Sequence, residues 1–109
     1  MAIKVNGKDM KDAVIKTDQF ELKILELTPD LMKVSVTDTN REAFNFVPRF
    51  VSMVYPDKTV NARDSGVVVV PARQTVPVTI QFAEKLRMER FMDFEFRYAR
   101  RRLATISLE

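Results

Sequence analysis

The segment FRYARRR, residues 96–102, carries the densest set of basic side chains in the sequence. Guanidinium groups bind phosphate and carboxylate oxygens, and neighbouring aromatic rings add a stacking surface. The sequence therefore offers a candidate contact for an anionic ligand or partner, made by Arg97, Arg100, Arg101 and Arg102. The same residues also admit a structural interpretation, which the alternation favours. In it, the aromatic rings lie on the core face of a strand and the arginines occupy a solvated loop.

A second group of residues that could take part in chemistry is Asp93 and Glu95. They are two positions apart on the polar side of the same predicted strand. Acid–base catalysis would require one of them to have a raised pKa in a pocket. The alternative is an exposed face shared with Arg97, on which both carboxylates stay ionised. With no histidine, no cysteine and two glycines, the chain lacks the usual ligands of transition metals, His-activated nucleophiles and glycine-rich phosphate loops. We expect no enzyme activity, no catalytic or metal-binding residue and no cofactor.

The charge distribution limits the partners that the chain can have. The formal net charge is +3, and the whole excess lies in residues 55–109, because residues 1–54 balance. No apolar stretch reaches the ~20 residues that span a bilayer, and the N-terminus has no apolar signal-peptide core. If the chain is a fragment from which an export signal was removed, we expect it in the periplasm or at the cell surface. A cytoplasmic location stays open.

Apolar residues recur mostly with a period of two, which predicts half-buried strands. The clearest alternating segments are residues 20–27, 31–38, 75–82, 91–98 and 103–108. The phase slips at Leu25, which predicts a bulge or a bend. Pro48 and Pro77 cannot donate a hydrogen bond to a ladder, so each predicts a bend, a bulge or an edge position.

Two segments depart from this alternation. Val67, Val68, Val69 and Val70 are apolar at every position, which suits either a strand covered on both faces or an edge strand that pairs with another chain. Residues 83–90, AEKLRMER, contain good helix formers and place Phe82 and Leu86 four apart, which predicts one short helical turn.

Together these segments predict an all-β fold with seven to nine antiparallel strands, in a sandwich or a small barrel. Its length suits one domain over residues 1–109, with residues 1–17 as a loosely attached N-terminal segment in one interpretation.

The strand and turn pattern resembles the immunoglobulin-like domains of uncharacterised bacterial envelope proteins and lipoproteins, over about residues 18–108. The resemblance is carried by Val-x-Val-x-x-x-Asn at 34–40, a proline-containing strand at 46–50, a turn at 55–58 and a Pro-x-x-x-Thr turn that begins the strand ending at Phe82. The chain lacks a cysteine pair and tryptophan, so an antibody-type core is not implied. The resemblance implies an immunoglobulin-like antiparallel β-sandwich outside the cytoplasm, in adhesion or assembly, with no active site.

We therefore expect a non-catalytic binding or structural module that acts through contacts with another protein or a second copy. The alternative is a β-domain that binds a polyanion or nucleic acid through Arg97–Arg102, although no RNA-recognition motif is present. No feature indicates a small-molecule substrate or a membrane span.

Overall fold

The computed structural model describes residues 1–63 and 66–109. In chain order the strands are β1 (Ile3–Val5), β2 (Lys8–Asp9), β3 (Ile15–Lys16), β4 (Phe20–Leu27), β5 (Leu31–Asp38), β6 (Phe44–Phe46), β7 (Val51–Val54), β8 (Thr59–Asn61), β9 (Val68–Val70), β10 (Thr75–Gln81), β11 (Met92–Tyr98) and β12 (Arg101–Leu108). Two short 3₁₀ turns cover Met10–Asp12 and Pro48–Phe50, and no α-helix occurs in the described ranges. The all-β prediction is confirmed. The strands outnumber the predicted seven to nine because several are only two or three residues long.

The strands form three sheets in which every pairing is antiparallel. The largest has six strands in the order β2-β1-β12-β11-β7-β8, the second has four in the order β10-β5-β4-β3, and β6 and β9 form a two-stranded ribbon. Adjacent strands in the chain pair as hairpins in both large sheets, as β4–β5 and β11–β12 show. The inward residues of all three sheets join one continuous core.

The alternation of β4 and β5 explains the four-stranded sheet. Leu22 and Val34 are fully buried while Lys33 is exposed, so one face of these strands meets the core and the other meets water. The register of β4 against β5 shifts between Ile24 and Glu26, and Leu25 is 52% exposed. The bulge predicted from the phase slip at Leu25 is therefore confirmed.

Pro48 divides the long apolar run of residues 44–55 into two strands of different sheets. β6 ends before it, a 3₁₀ turn begins at Pro48 itself, and β7 then enters the six-stranded sheet. A proline suits the first position of such a turn because its missing N–H is not needed there. The bend predicted at Pro48 is thus present.

Residues 1–17 contribute strands to both large sheets, β1 and β2 to the six-stranded sheet and β3 to the four-stranded sheet. β1 pairs with the end of β12, and Ala2 and Glu109 each donate a backbone hydrogen bond to the other, both 2.9 Å long. Val5 and Ile15 are buried in the core. The first strand of the chain is therefore held by the last one.

The helical turn predicted for residues 83–90 is wrong, because this segment is an irregular connection between β10 and β11. The Leu86 N–H donates to the Pro29 carbonyl at 2.8 Å, and the Arg87 carbonyl accepts from the Tyr55 hydroxyl at 3.0 Å. Leu86 is only 4% exposed. An eight-residue helix has little stability of its own, so burial of one leucine and bonds to neighbouring elements determine the conformation instead.

Candidate functional site

The hairpin between β11 and β12 turns through only two residues, Ala99 and Arg100. Their φ angles are +50° and +70°, and the flanking Tyr98 and Arg101 are direct ladder partners. Positive φ at both central positions is the type I′ pattern, which usually selects Asn-Gly. The Ala99 N–H also donates to the Phe50 carbonyl at 3.0 Å, which fixes the hairpin tip against the 3₁₀ turn that precedes β7. Arg100 is therefore held in a conformation that arginine seldom adopts.

The structure separates the four arginines predicted to act together. Arg97 pairs with Glu95 on the outer face of the sheet, with Nη2 and Oε2 2.6 Å apart. A bulge between Phe96 and Arg97 then makes Arg102 the ladder partner of Arg97 and Arg101 the partner of Tyr98. Directly opposed residues share a face, so Arg102 lies on the outer face. Arg101 is directed toward the end of the core.

Three arginines from other loops lie at the same end of the molecule as Arg100 and Arg101. Three open depressions of about 610, 440 and 410 Å³ run side by side there, the first and second sharing Gln19 and the second and third sharing Ala99. Their arginines are Arg41 and Arg73 in the first, Arg101 in the second, and Arg49 and Arg100 in the third. We call these five residues the arginine end.

Sequence reasoning missed Arg41, Arg49 and Arg73 because each stands alone in a separate loop. The only available signal was local, since Arg49 follows Pro48 and Arg73 lies in the turn that begins at Pro71. Neither signal shows that the loops meet in space.

The arginines of the arginine end have no ion-pair partner among the described residues. The depressions are also lined by Asp18 and Glu42, so five arginines against two carboxylates leave a formal excess of three, equal to the +3 of the whole chain. Within residues 1–63 and 66–109, none of the five arginines forms a salt bridge. By contrast, Arg87 pairs with Asp57 at 2.8 Å, as Arg97 does with Glu95.

A cluster of aromatic rings forms the base of the arginine end. Ring centroids lie 5.1 Å apart for Phe20 and Phe44, 4.8 Å for Phe46 and Tyr98, and 5.9 Å for Phe50 and Tyr98. Phe50 remains 43% exposed, with the Arg49 guanidinium 5.6 Å from its centroid. Interlocked rings leave few alternative rotamers, so the backbone that carries the arginines rests on a rigid support.

The loop that carries Arg41 is anchored by a buried carboxylate. Asp38 is 1% exposed, and its Oδ1 accepts the Asn40 N–H at 2.7 Å. Its Oδ2 has no hydrogen-bond partner in the described part of the chain. The Asn40 amide reaches the carbonyls of Asp18 and Gln19 at 3.5 and 3.4 Å. The loop after β5 is therefore joined to the turn between β3 and β4.

Arg73 occupies a second turn position that favours glycine. The Gln74 N–H donates to the Pro71 carbonyl at 3.1 Å, which closes a turn over residues 71–74. Arg73 has a φ of +58° at the third position, where a type II turn normally carries glycine or asparagine. Two of the five arginines, Arg73 and Arg100, thus stand where a side chain costs backbone energy.

Tyr98 gives a prediction for alkaline solution. Burial raises the pKa of Tyr98 and also that of Tyr55, because both phenols are partly withdrawn from water. The stability they contribute is fully present below their unfolded-state pKa of about 10, and it is lost as the pH rises through the higher folded-state values. The urea midpoint of Tyr98→Phe should therefore fall less steeply above pH ~10 than that of the native chain.

Tyr98→Phe should also unfold more easily at neutral pH, by about 1 kcal/mol, because the Val47 N–H loses its acceptor. Tyr55→Phe serves as the comparison, since the chain contains only these two tyrosines. If neither substitution changes how steeply the urea midpoint falls with pH above pH ~10, the raised pKa values of the two tyrosines do not explain the alkaline loss of stability.

The four-valine run is not covered on both faces, so that interpretation is wrong. Val67 and Val69 are 56% and 57% exposed, Val68 is half-buried and Val70 is fully buried. β9 pairs only with β6, which leaves its second edge without a strand partner among the described residues. The predicted edge strand therefore occupies an edge.

The edge of β10 differs from that of β9. The Asp38 N–H donates to the Gln74 carbonyl at 2.9 Å, and bonded pairs alternate along an antiparallel ladder. The nitrogen of Pro77, opposite Ser35, therefore points away from β5 to the outer side of the sheet. A proline there removes a donor from the open edge, which hinders pairing with another chain. The edge position predicted for Pro77 is confirmed.

The two carboxylates singled out for chemistry, Asp93 and Glu95, both line an open depression of about 330 Å³ on the outer sheet face. Asp93 is exposed there, and Glu95 is engaged by Arg97. In the ranges that the structure covers, no group of three or more acidic, histidine or cysteine side chains is placed to hold a metal ion. None of the helical segments found there has the length and apolarity to cross a membrane.

No protein-family model matches the chain, and no match is found among curated proteins or solved structures. The structure shows an all-β domain whose described strands form three antiparallel sheets. The immunoglobulin-like resemblance remains a prediction based on the strand and turn pattern.

Proposed function

We propose that this chain is a non-catalytic binding module that takes up an extended strand of a partner protein along the open edge of β9. The observation that carries the proposal is the exposure of Val67 and Val69 beside an edge without a strand partner in the described ranges. Strand addition uses backbone hydrogen bonds for affinity and alternate side-chain contacts for specificity. Both are offered by β9, because its outward face is apolar and its ladder is paired on one side only.

Two of the other sheet edges support this assignment by contrast. One end of the six-stranded sheet is β2, which consists of Lys8 and Asp9, and one end of the four-stranded sheet is β10 with Pro77. Charged residues, prolines and very short strands are the usual means of preventing edge-to-edge association. β9 is also short, but it has valine at each of its three positions and carries neither a charge nor a proline.

We also propose an immunoglobulin-like sandwich as the architecture. The sheet order β10-β5-β4 facing β12-β11-β7-β8 parallels the two sheets of that fold, in which strands E, B and A oppose G, F and C. Such modules commonly act in adhesion or assembly outside the cytoplasm, and we propose an extracytoplasmic location. The engagement of Glu95 by Arg97 in an open depression supports a non-catalytic role.

A displayed library of linear peptides about ten residues long tests strand addition directly. The native chain should enrich peptides with alternating β-branched and aromatic residues, and Val69→Lys should weaken their binding by more than about 10-fold. The lysine replaces an apolar neighbour of the added strand's side chains with a charge, on the outward face of the extended sheet. Amide hydrogen exchange should slow at Val69, whose N–H points away from β6 to the open edge, when a selected peptide binds.

Val14→Lys is the matched control, because Val14 is also apolar and 48% exposed but precedes the short β3. Peptides that bind Val69→Lys as tightly as the native chain would refute the proposal. If the added strand comes from a second copy, sedimentation velocity should show a dimer of the native chain and a monomer of Val69→Lys.

A further inference from the structure

The arginine end combines unneutralised charge with backbone strain. Of its five arginines, Arg73 and Arg100 adopt φ angles of +58° and +70° in turns that favour glycine, and both nevertheless line the depressions. Strained conformations persist only where the surrounding structure imposes them, and they cluster at functional sites, so the strain directs attention to these two residues. We propose that the arginine end binds a linear phosphodiester polymer.

The arrangement of the charges favours an extended ligand. The three depressions adjoin through Gln19 and Ala99, and every one of them contains at least one arginine. A ligand that fills them in sequence must present negative charge at regular intervals along a chain. A phosphodiester polymer does so with one charge per monomer, and the two free oxygens of each phosphate match the fork of a guanidinium group.

An acidic polypeptide fits this arrangement less well. Successive side chains of an extended peptide point to opposite faces, so about half of its carboxylates would point away from the arginines. The lining of the third depression also offers the side-chain donors of Ser52 and Asn61 beside Arg49 and Arg100. Donors of this kind complement phosphate oxygens.

Phe50 adds a feature that distinguishes two sources of the same phosphodiester chemistry. Its ring is 43% exposed and lies in the third depression between Arg49 and Val51. Bases stack on exposed aromatic rings in single-stranded nucleic-acid complexes. A polyol-phosphate chain has no ring to stack, so it would depend on the arginines alone.

The test uses the double variant Arg73→Gly/Arg100→Gly. Glycine relieves the positive φ at both positions, so the variant should keep a melting temperature no lower than that of the native chain. Its affinity for an oligothymidylate of about 15 nucleotides should fall by about 10-fold at low salt. The slope of log affinity against log salt should become shallower by about 1.4, which corresponds to two lost phosphate contacts.

The matched control is Lys85→Gln/Arg90→Gln, which removes the same net charge from exposed positions of the connection before β11. This control should bind the oligothymidylate within about twofold of the native chain at moderate salt, because screening limits distant charges. Equal weakening by both double variants would overturn the proposal, since it would show a response to net charge only.

Poly(glycerol phosphate) and polyglutamate complete the test. Binding of both phosphodiester polymers supports recognition of phosphate alone, whereas binding of the oligothymidylate only, lost in Phe50→Ala, identifies nucleic acid as the source. Binding of poly(glycerol phosphate) only identifies a polyol phosphate. The proposal is overturned if polyglutamate binds as tightly as the phosphodiesters, or if neither phosphodiester binds at low salt. Val69→Lys should leave these affinities unchanged. The experiments therefore test strand addition along β9 and polymer binding at the arginine end independently.

Discussion

Replacing Phe46 with alanine should lower the free energy of unfolding by about 3–5 kcal/mol. The side chain is fully buried and lies 4.8 Å from the ring of Tyr98 and 6.0 Å from that of Phe20. The loss of these contacts leaves a cavity where the β6–β9 ribbon meets the two large sheets. Urea denaturation followed by circular dichroism measures the change.

Phe50→Ala is the control for this substitution, because it removes the same atoms from a ring that is 43% exposed. It should cost only about 1 kcal/mol, since the ring is already partly hydrated in the folded state. Phe46→Leu should recover much of the loss by refilling the space. Equal costs for Phe46→Ala and Phe50→Ala would show that the ribbon is not packed as described.

Leu86→Ala should lower the free energy of unfolding by about 2–3 kcal/mol, a large effect for a residue outside any strand. The segment from 83 to 91 has no ladder to hold it. Its position depends on the buried Leu86 side chain and on isolated bonds such as the one from Leu86 N–H to the Pro29 carbonyl. A smaller side chain should therefore loosen the whole connection, and amide exchange across it should accelerate.

Lys85→Ala tests the same segment without touching the core, because Lys85 is exposed. Its effect should stay within about 0.5 kcal/mol. If the segment were the predicted helix, alanine at position 85 would stabilise it slightly and Leu86→Ala would cost less. Comparable small effects of both substitutions would contradict the packing of Leu86.

The long strands of the two large sheets could be predicted because one face of each is exposed to water, whereas the short strands β1, β2 and β3 were not predicted. Residues 20–27 and 31–38 were delimited from alternation alone and coincide with β4 and β5. The bulge at Leu25 could also be predicted from the sequence, since an extra residue shifts the phase of the apolar positions. The division at Pro48 could be predicted because a proline has no N–H to donate to a strand ladder.

The connection after β10 could not be predicted because its spacing is ambiguous. Phe82 and Leu86 are four apart, which fits one face of a helix, but both also reach the core from an extended chain. Tertiary contacts then outweigh a weak helical propensity. The four valines were ambiguous for a related reason, because an all-apolar run does not state which of its faces is covered.

The candidate site was only partly predictable. The arginines after Tyr98 were visible as a cluster, but the turn chemistry and the bulge near Phe96 decide which of them lie together. If the side chains of β12 alternated strictly from Leu108 backwards, Arg102 would face the core and Arg101 would face outward. The bulge reverses this, so that Arg102 faces outward and Arg101 faces inward. Arg41 and Arg73 join the site only when loops far apart in the sequence meet.

The paired backbone bonds between Ala2 and Glu109 mean that the polypeptide leaves the fold almost where it enters. A short flexible bridge could therefore close the chain into a ring without disturbing any ladder. Cutting that ring at the Thr28–Leu31 hairpin, far along the chain from the Ala99–Arg100 turn, would yield a permuted protein with the same sheets in a new chain order. β1 would then be covalently joined to β12, the neighbour that it already has in space.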